Sequence, residues 1–148
     1  MTMPRRKASE KLRLLDEYIQ ILLKRFYLRP SADGASRELS SSELFACSVL
    51  GRKGRCTMTE LSKECDLALS SMTAVVDRLV EKGCVKRFRD EEDRRKVFVE
   101  LDRKGEKIYQ ELLESEMEII IGMMDSLNSQ EQDALLHTLG KAIASIGK

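Results

Sequence analysis

The fold of this chain depends on one stretch, residues 67–101, which reads LALSSMTAVVDRLVEKGCVKRFRDEEDRRKVFVEL. Gly83 lies near its middle, where a helix commonly ends on a left-handed residue. From Val85 onwards apolar and polar residues alternate, which predicts two short strands joined by the charged turn 89–95. The part before Gly83 carries apolar residues at helical spacing, namely Leu67, Met72, Val75, Val76 and Leu79.

Two shorter helices are predicted upstream of this stretch. Ser40 with Glu43 forms a capping-box pattern, and Thr57 with Glu60 forms a second one. Two short helices, a longer helix and a two-stranded ribbon, in this order, predict a winged helix-turn-helix. We therefore expect a mainly α fold with a small β-hairpin wing, of the α+β class.

Amphipathic helices flank this predicted head on both sides. We expect residues 1–8 to form a flexible basic arm and residues 9–148 a single unit. Within that unit, 39–101 is the winged-helix DNA-binding head, and the segments 9–38 and 102–148 are dimerisation helices. Their apolar faces exceed what one small head covers, which favours an interface between two subunits. A three-helix layer inside a monomer is the alternative.

The formal net charge of +1 conceals a strong asymmetry along the 148 residues. Residues 78–96 carry eight basic and five acidic side chains, and residues 1–13 carry five basic and one acidic. Residues 106–135 carry eight acidic side chains and one lysine. A polyanion such as double-stranded DNA would therefore meet the first two segments and avoid the third.

Several classes of protein are disfavoured by composition. No apolar run approaches the roughly 18 residues of a membrane span, and no signal peptide is visible at residues 1–13, so we expect a cytoplasmic protein without a membrane partner. The four cysteines form no C-x-x-C pair and the one histidine is His137, which argues against a metal site. Without a nucleophile motif or a phosphate-binding glycine loop, we expect neither an enzyme nor a cofactor.

The predicted reading helix has small polar residues near its start, the end expected to face a DNA groove. Hydroxyl groups there can bond phosphates or base edges, helped by the unpaired backbone N–H groups of the helix. Arg78 could bond guanine or a phosphate, with an ion pair to a nearby acid as its alternative role. The predicted DNA-binding residues of this helix are Ser70, Ser71, Thr73, Ala74, Asp77 and Arg78.

At this point the sequence resembles the MarR family of bacterial winged-helix regulators. The resemblance covers about residues 39–109, with DRLVEKGCVKR at 77–87 as its strongest motif. It continues through DRRKV at 93–97 and LDRKG at 101–105. The resemblance implies a homodimer that binds a near-palindromic operator, usually as a repressor, and releases DNA when a small-molecule effector or an oxidant alters the dimer.

The resemblance also assigns the wing residues. Arg95 matches the tip arginine that is expected to enter the minor groove, and Asp93 matches the acid that holds it. A narrow minor groove has a negative potential that suits a long cation. A hairpin turn with solvated charges is the alternative. The further candidates for contacts with the DNA backbone are Arg87, Arg89, Arg94 and Lys96.

Two positions depart from the family pattern. Ala68 replaces the Ser or Thr that usually begins the helix, so the cap is expected to shift to Asp66 or Ser70. Ala74 replaces a longer, often basic, side chain, so the operator sequence of relatives does not transfer. Asp102, in place of the usual threonine, is still a good N-cap.

Two other functions compete with a ligand-responsive repressor. The first is a thiol-based redox regulator, but the cysteines match apolar positions of the family, where a free cysteine behaves as a small hydrophobe. The second is a winged helix used for protein contacts without DNA. The operator, the target genes, the effector, its binding residues and the sign of regulation do not follow from the sequence.

Overall fold

The computed structural model describes residues 5–27 and 35–147, and within them the elements follow the predicted order. The helices are α1 (Arg5–Tyr27), α2 (Ser41–Lys53), α3 (Met58–Glu64), α4 (Leu69–Glu81), α5 (Arg103–Asp125) and α6 (Ser129–Ile146). A short 3-10 turn at Ala35–Glu38 precedes α2. The strands are β1 (Cys56–Thr57), β2 (Val85–Arg89) and β3 (Val97–Leu101). The predicted fold class, a mainly helical winged helix with a small sheet, is confirmed.

The sheet differs from the prediction in its number of strands. The sequence predicted a two-stranded ribbon, whereas the sheet has three antiparallel strands in the order β1-β3-β2. Cys56 pairs with Val99, and Thr57 pairs with Phe98. A strand of two residues has no alternating pattern to detect, and its pairing spans more than 40 residues of chain. The helix α1 also begins at Arg5 rather than near Ser9, because arginine, lysine and alanine favour helix. Residues 1–4 of the predicted basic arm lie outside the described part.

The helix-turn-helix is α3, a tight turn and α4. Thr57 caps α3 through the predicted reciprocal box with Glu60. Asp66 adopts a positive φ of 52° in the turn, a conformation that aspartate tolerates better than most residues. Gly83 ends α4 with a φ of 76°, and the N–H of Cys84 donates to the carbonyl of Leu79 at 2.9 Å. With the bond from the N–H of Gly83 to the carbonyl of Val80 at 3.0 Å, this forms a Schellman motif, and the left-handed helix end predicted at Gly83 is confirmed.

The core of the head packs α2, α3, α4 and the sheet against the start of α5. The buried cluster includes three of the four cysteines, while Cys65 is half-buried. The predicted apolar role of the cysteines is therefore confirmed for these three. The largest side chains that are fully enclosed are Leu50, Leu61, Met72, Val76, Leu79, Val99 and Ile108.

Two glycines, Gly51 on α2 and Gly105 on α5, allow close contacts between the head and α5. A Cβ at Gly51 would lie 2.3 Å from the ring of Tyr109, and a Cβ at Gly105 would lie 2.0 Å from the carbonyl oxygen of Cys84. No real side chain tolerates these distances. The first turns of α5 are therefore seated directly on the head.

The chain divides into two compact units after Leu113. The second unit contains the end of α5 and the helix α6, which begins with a capping box between Asn128 and Glu131. The amide of Gln132 donates to the carbonyls of Met124 and Leu127, which closes the turn. Apolar residues of both helices are exposed on this unit, including Ile121, Leu136, Leu139, Ile143 and Ile146. Among the described residues, none of the helices combines the length and the hydrophobicity that a membrane span requires.

Candidate nucleic-acid interface

The exposed face of α4 carries the predicted reading residues. Ser70, Ser71, Thr73, Ala74 and Asp77 are all exposed. Each lies away from the positions of α4 that pack into the core. The start of this helix therefore presents short hydroxyl and methyl groups to the outside, which is a surface that fits closely against a groove.

The N-cap of α4 remains at Ala68, and its side chain makes no capping hydrogen bond. The predicted shift of the N-cap to Asp66 or Ser70 was wrong. Asp66 instead adopts the left-handed conformation of the turn that follows α3. Ser70 lies inside the first turn of the helix. The first N–H groups of α4 therefore lack a side-chain acceptor from the cap, and a helix end in this state favours an anion such as a DNA phosphate.

Thr73 is held by a bond within the helix. Its hydroxyl donates to the carbonyl of Leu69 at 2.8 Å. The proton of this hydroxyl is thus engaged, while its oxygen can still accept a hydrogen bond. Thr73 can contact DNA as an acceptor or through its methyl group, but its hydroxyl donates only if this bond breaks.

Asp77 and Arg87 form an ion pair between α4 and β2. The sequence proposed both residues for DNA, yet the structure joins them to each other. An unpaired Asp77 on this face would repel phosphate. The pair neutralises that charge and connects the wing to the reading helix.

Arg78 also bonds an acid. Its Nε donates to Oε1 of Glu43 at 3.2 Å, and Nζ of Lys82 donates to Oε2 of the same carboxylate at 2.7 Å. The ion-pair role that the sequence offered as an alternative is therefore present. Sequence patterns missed Glu43 as the shared partner of Arg78 and Lys82, because Glu43 was assigned only to the cap of α2. Ser40 does accept the backbone N–H of Glu43, but this is only half of the predicted capping box, because the carboxylate of Glu43 bonds Arg78 and Lys82 instead.

The tip of the wing is organised around Asp93. Its Oδ1 accepts from both the backbone N–H and the Nε of Arg95, each at 3.2 Å. The side chain of Arg95 is nevertheless 93% exposed. Asp93 therefore holds Arg95 in the way that the resemblance implied, while the guanidinium extends into solvent.

The other basic residues of the wing differ in their availability. Arg89 donates to the carbonyl of Arg94 at 2.9 Å, which braces the turn from inside. Arg94 and Lys96 are exposed. Arg94 and Lys96 thus remain the candidates for contacts with the DNA backbone, whereas Arg89 has a structural bond of its own.

The sheet behind the tip is stiffened by a cluster that the sequence did not reveal. The guanidinium of Arg55 lies 4.6 Å from the ring centre of Phe88 and 5.8 Å from that of Phe98. Arg55 also pairs with Glu100 at 3.3 Å. Cation–π contacts of this kind stabilise a ribbon whose strands are only five residues long.

A groove of about 540 Å³ lies between α3, the start of α4 and the wing. Lys63, Arg95 and Lys96 line it with one acid, Glu60, and with Leu69 and Thr73, so its cations outnumber its carboxylates by three to one. The structure thus brings predicted residues of the helix and of the wing to one basic groove. Lys63 is a basic residue of this surface that the sequence reading did not select.

A second cavity, of about 440 Å³, lies elsewhere in the first unit. Leu23, Phe45 and Leu67 form its apolar walls, and Lys24 is the charged residue of its lining. The remaining lining residues are Gln20, Ser41, Ser42 and Cys65. Sequence reasoning named no residue of this cavity for a ligand, because its lining comes from three separate parts of the chain.

The thiols are placed for packing rather than for reaction. Burial raises the pKa of Cys47 to about 12 and raises the pKa of Cys56, Cys65 and Cys84 as well. The thiolate is the reactive form, so a raised pKa slows reaction with oxidants. No group of three or more His, Cys, Asp or Glu side chains in the described residues is arranged to hold a metal ion.

A sequence model of the MarR family matches residues 39–97 of this chain. The HTH-type transcriptional regulator YpoP of Bacillus subtilis (strain 168) is 31% identical over 105 residues, which cover 71% of this chain and 74% of YpoP. The HTH-type transcriptional repressor NicR of Pseudomonas putida is 29% identical over 133 residues, which cover 87% of this chain and 84% of NicR.

Solved structures show the same fold. A MarR family protein from Bacillus stearothermophilus superposes with a TM-score of 0.74 at 28% identity, over 99% of this chain and 100% of that one. Streptococcus pneumoniae FabT, in complex with DNA, superposes with a TM-score of 0.74 at 23% identity, over 97% of this chain and 94% of FabT.

The exposed helix, the basic groove and the wing define a DNA-binding transcriptional regulator of the winged helix-turn-helix class. Its relatives are transcriptional regulators too. Within that class, the chain belongs to the MarR family.

Proposed function

We propose that this protein is a ligand-responsive repressor that binds a near-palindromic operator as a homodimer. The observation that carries the proposal is the exposed face of α4 beside a wing whose Arg95 is held by Asp93 and is 93% exposed. In the proposed complex α4 enters the major groove and Arg95 enters the adjacent minor groove. Repression is supported by similar proteins described as repressors, YetL of Bacillus subtilis and NicR.

The DNA contacts divide into two groups. Ser70, Ser71, Thr73 and Ala74 face base edges or adjoining phosphates from the start of α4. Arg94, Arg95 and Lys96 supply positive charge from the wing. The proposal is supported by the solved structure of FabT, a protein of this fold in complex with DNA.

The homodimer is supported by exposed apolar side chains on the terminal helices. Leu12, Leu15 and Tyr18 of α1 are each more than half exposed. Leu136 and Ile143 of α6 are exposed to a similar degree. Covering such faces stabilises a dimer by roughly 25 cal/mol per Å² of apolar area removed from water. A twofold dimer also places two α4 helices about one DNA turn apart, roughly 34–36 Å.

The assembly can be tested by sedimentation equilibrium. We expect a mass twice the 16.9 kDa of the chain. Leu136→Glu combined with Ile143→Glu should yield monomers, whereas the matched change Lys141→Glu on the same helix should not. A wild-type protein that sediments as a monomer at micromolar concentration would contradict the dimer.

The effector is proposed to bind in the cavity of about 440 Å³. Lys24 supplies a cation, and Ser41 and Ser42 lie at the start of α2, where the helix dipole favours negative charge. Leu23 and Phe45 supply apolar walls. These groups suit a small apolar molecule that carries an acidic group, and binding there would alter the attachment of α1 to the head.

The function as a whole is tested by selecting duplexes from a random-sequence pool. We expect wild type to enrich a near-palindromic site and to bind it far more tightly than a scrambled duplex of equal length. A screen of small apolar acids should then find a compound that releases the selected duplex from wild type but less readily from Lys24→Met. Failure to enrich any sequence at low salt would contradict the proposed function.

A further inference from the structure

The carboxylate of Glu43 is one of two charged or polar side chains among the described residues that are buried in the head. Only 2% of Glu43 is exposed. A buried carboxylate is unfavourable unless it is paired and hydrogen-bonded. Here Arg78 bonds one of its oxygens and Lys82 bonds the other. The two cations come from α4 and the end of that helix, so this carboxylate ties α2 to the reading helix.

The charges of this group do not cancel. One carboxylate faces two cations, which leaves a net positive charge beside the exposed face of α4. Burial alone would raise the pKa of Glu43, but the bond and the charge of Lys82, with bonds from Ser40 and Arg78, hold it below its ordinary value. Glu43 is therefore ionised at neutral pH, and Arg78 keeps its attraction for a polyanion because Lys82 balances the acid.

The geometry at Arg78 leaves its outer end available. Only Nε bonds Glu43, and the side chain is 49% exposed. The two terminal nitrogens accordingly make no hydrogen bond to the described part of the chain. Lys82 also donates to the carbonyl of Glu38 at 2.8 Å, so the cation that bonds the second oxygen of Glu43 has a further anchor of its own.

The same arrangement occurs at the tip of the wing. Nε of Arg95 donates to Asp93 at 3.2 Å, which equals the distance between Arg78 and Glu43. In both places a carboxylate engages the inner nitrogen of an arginine and leaves the outer fork for another partner. A fork of two N–H groups matches a pair of acceptors, which guanine presents as O6 and N7 and which a phosphate presents as two oxygens.

We propose that Glu43 is a positioning residue that orients Arg78 so that its two terminal nitrogens bond a pair of acceptors on DNA. This inference rests on the proposed DNA-binding function and deepens it by adding a residue of α2 that never touches the duplex. Lys82 completes the device by keeping Glu43 ionised and in place. The ordering of Arg78 before binding reduces the side-chain entropy lost when the complex forms.

A double-mutant cycle tests the role of Glu43. The probes are a duplex selected by wild type from a random pool and a scrambled duplex of equal length. Glu43→Gln keeps the shape of the side chain, and we expect it to weaken binding of the selected duplex about tenfold, the scale of one good contact. In a protein that already carries Arg78→Ala, the same change should alter the affinity less than twofold. Glu43 is proposed to act on DNA only through Arg78, which this variant lacks.

The two duplexes also identify the acceptor. If Arg78 bonds a guanine, Glu43→Gln weakens binding of the selected duplex alone; if it bonds a phosphate, both duplexes lose affinity equally. A merely structural role would give the same loss from Glu43→Gln with or without Arg78, and that additivity would overturn the proposal. Thermal unfolding of each variant confirms that it is folded before binding is measured.

Arg78→Lys provides a second test that does not depend on the stability of Glu43→Gln. Lysine keeps the positive charge near Glu43 but lacks the planar fork. We expect about tenfold weaker binding of the selected duplex, with an unchanged salt dependence. Unchanged affinity would overturn the proposal while leaving the regulator itself intact. If wild type binds no duplex at low salt, the proposed function and this inference fail together.

Discussion

The reading helix and the wing use arginines that are braced in the same way but in opposite surroundings. The side chain of Glu43, which reaches from α2 to Arg78 of α4, is 3% exposed, whereas the side chain of Asp93 on the wing is 37% exposed. The arginines follow the same order, with Arg78 49% exposed and Arg95 93% exposed. The brace on the helix is thus part of the folded core, while the brace on the wing is a surface contact that water and salt weaken.

The difference in burial suggests that α4 and the wing contribute differently to DNA recognition. A major groove presents a distinct pattern for every base pair, so a rigid, preorganised helix serves selection there. A minor groove is read through its width and potential, so a long and adaptable arginine suits it better. We expect changes in the wing to act chiefly on affinity and changes at Glu43 to act on both folding and DNA binding.

The largest effect is expected from the wing. Arg95→Ala should weaken binding of the selected duplex by about 1–3 kcal/mol, the cost typical of one good nucleic-acid contact. Fluorescence anisotropy at fixed salt measures it, with Lys141→Ala on α6 as the matched control. Equal affinity of Arg95→Ala and wild type, with both proteins folded, would show that Arg95 of the wing does not contribute to DNA binding.

The next effect concerns stability and separates the two braces. The pKa of Glu43 is lowered in the folded protein, so its ionised form stabilises the fold above the ordinary pKa of about 4.5. That contribution is lost as pH falls through the lower, folded value. Relative to Glu43→Gln, wild type should be more stable by about 1–2 kcal/mol at pH 7, and the difference should shrink below pH 4.5.

Urea unfolding at several pH values measures this difference. Asp93→Asn is the matched change in the wing, and its stability should follow that of wild type at every pH. A constant gap between wild type and Glu43→Gln from pH 7 to pH 3 would show that the carboxylate is not held in its ionised form by Arg78 and Lys82.

A smaller effect is expected on binding from Asp93→Asn. The substitution keeps the charge of Arg95 but weakens its brace. Because this brace is solvent-screened, we expect only about a two- to threefold loss of preference for the selected over the scrambled duplex. Competition binding gives the ratio directly. A loss as large as that of Arg95→Ala would mean that the wing is as preorganised as the helix.

The smallest effect is expected from the thiols. Burial raises the pKa of Cys47 to about 12, and the other three thiols are also raised, so little thiolate is present at pH 8. Labelling of the native protein should be slow, and mild peroxide should leave DNA binding unchanged. Rapid reaction at the half-buried Cys65 with loss of binding would restore the redox alternative.

The sequence predicted those features that depend on local patterns. The stripe that ends at Leu79, the left-handed Gly83 and the box of Thr57 with Glu60 all follow from spacing within a few residues. The bond between Asp93 and Arg95 is also local, and the resemblance implied it correctly.

The features that the sequence missed join distant parts of the chain. The contact of Glu43 with Arg78 spans 35 residues, and the contact of Arg55 with Glu100 spans 45. The strand β1 exists only through its pairing with β3. No local period signals such contacts, because they depend on how the elements pack. The predicted shift of the N-cap away from Ala68 was wrong for a related reason. A helix can begin without a side-chain cap once its apolar face is buried.

The most direct test of the central claim is the affinity of wild type for its selected duplex over a range of potassium chloride concentrations. If α4 and the basic wing bind DNA, the logarithm of the association constant should fall linearly and steeply with the logarithm of salt, by roughly 0.9 for each phosphate neutralised. The line for Arg95→Ala should be shallower. An absence of binding at the lowest salt, or an affinity that does not change with salt, would contradict the account.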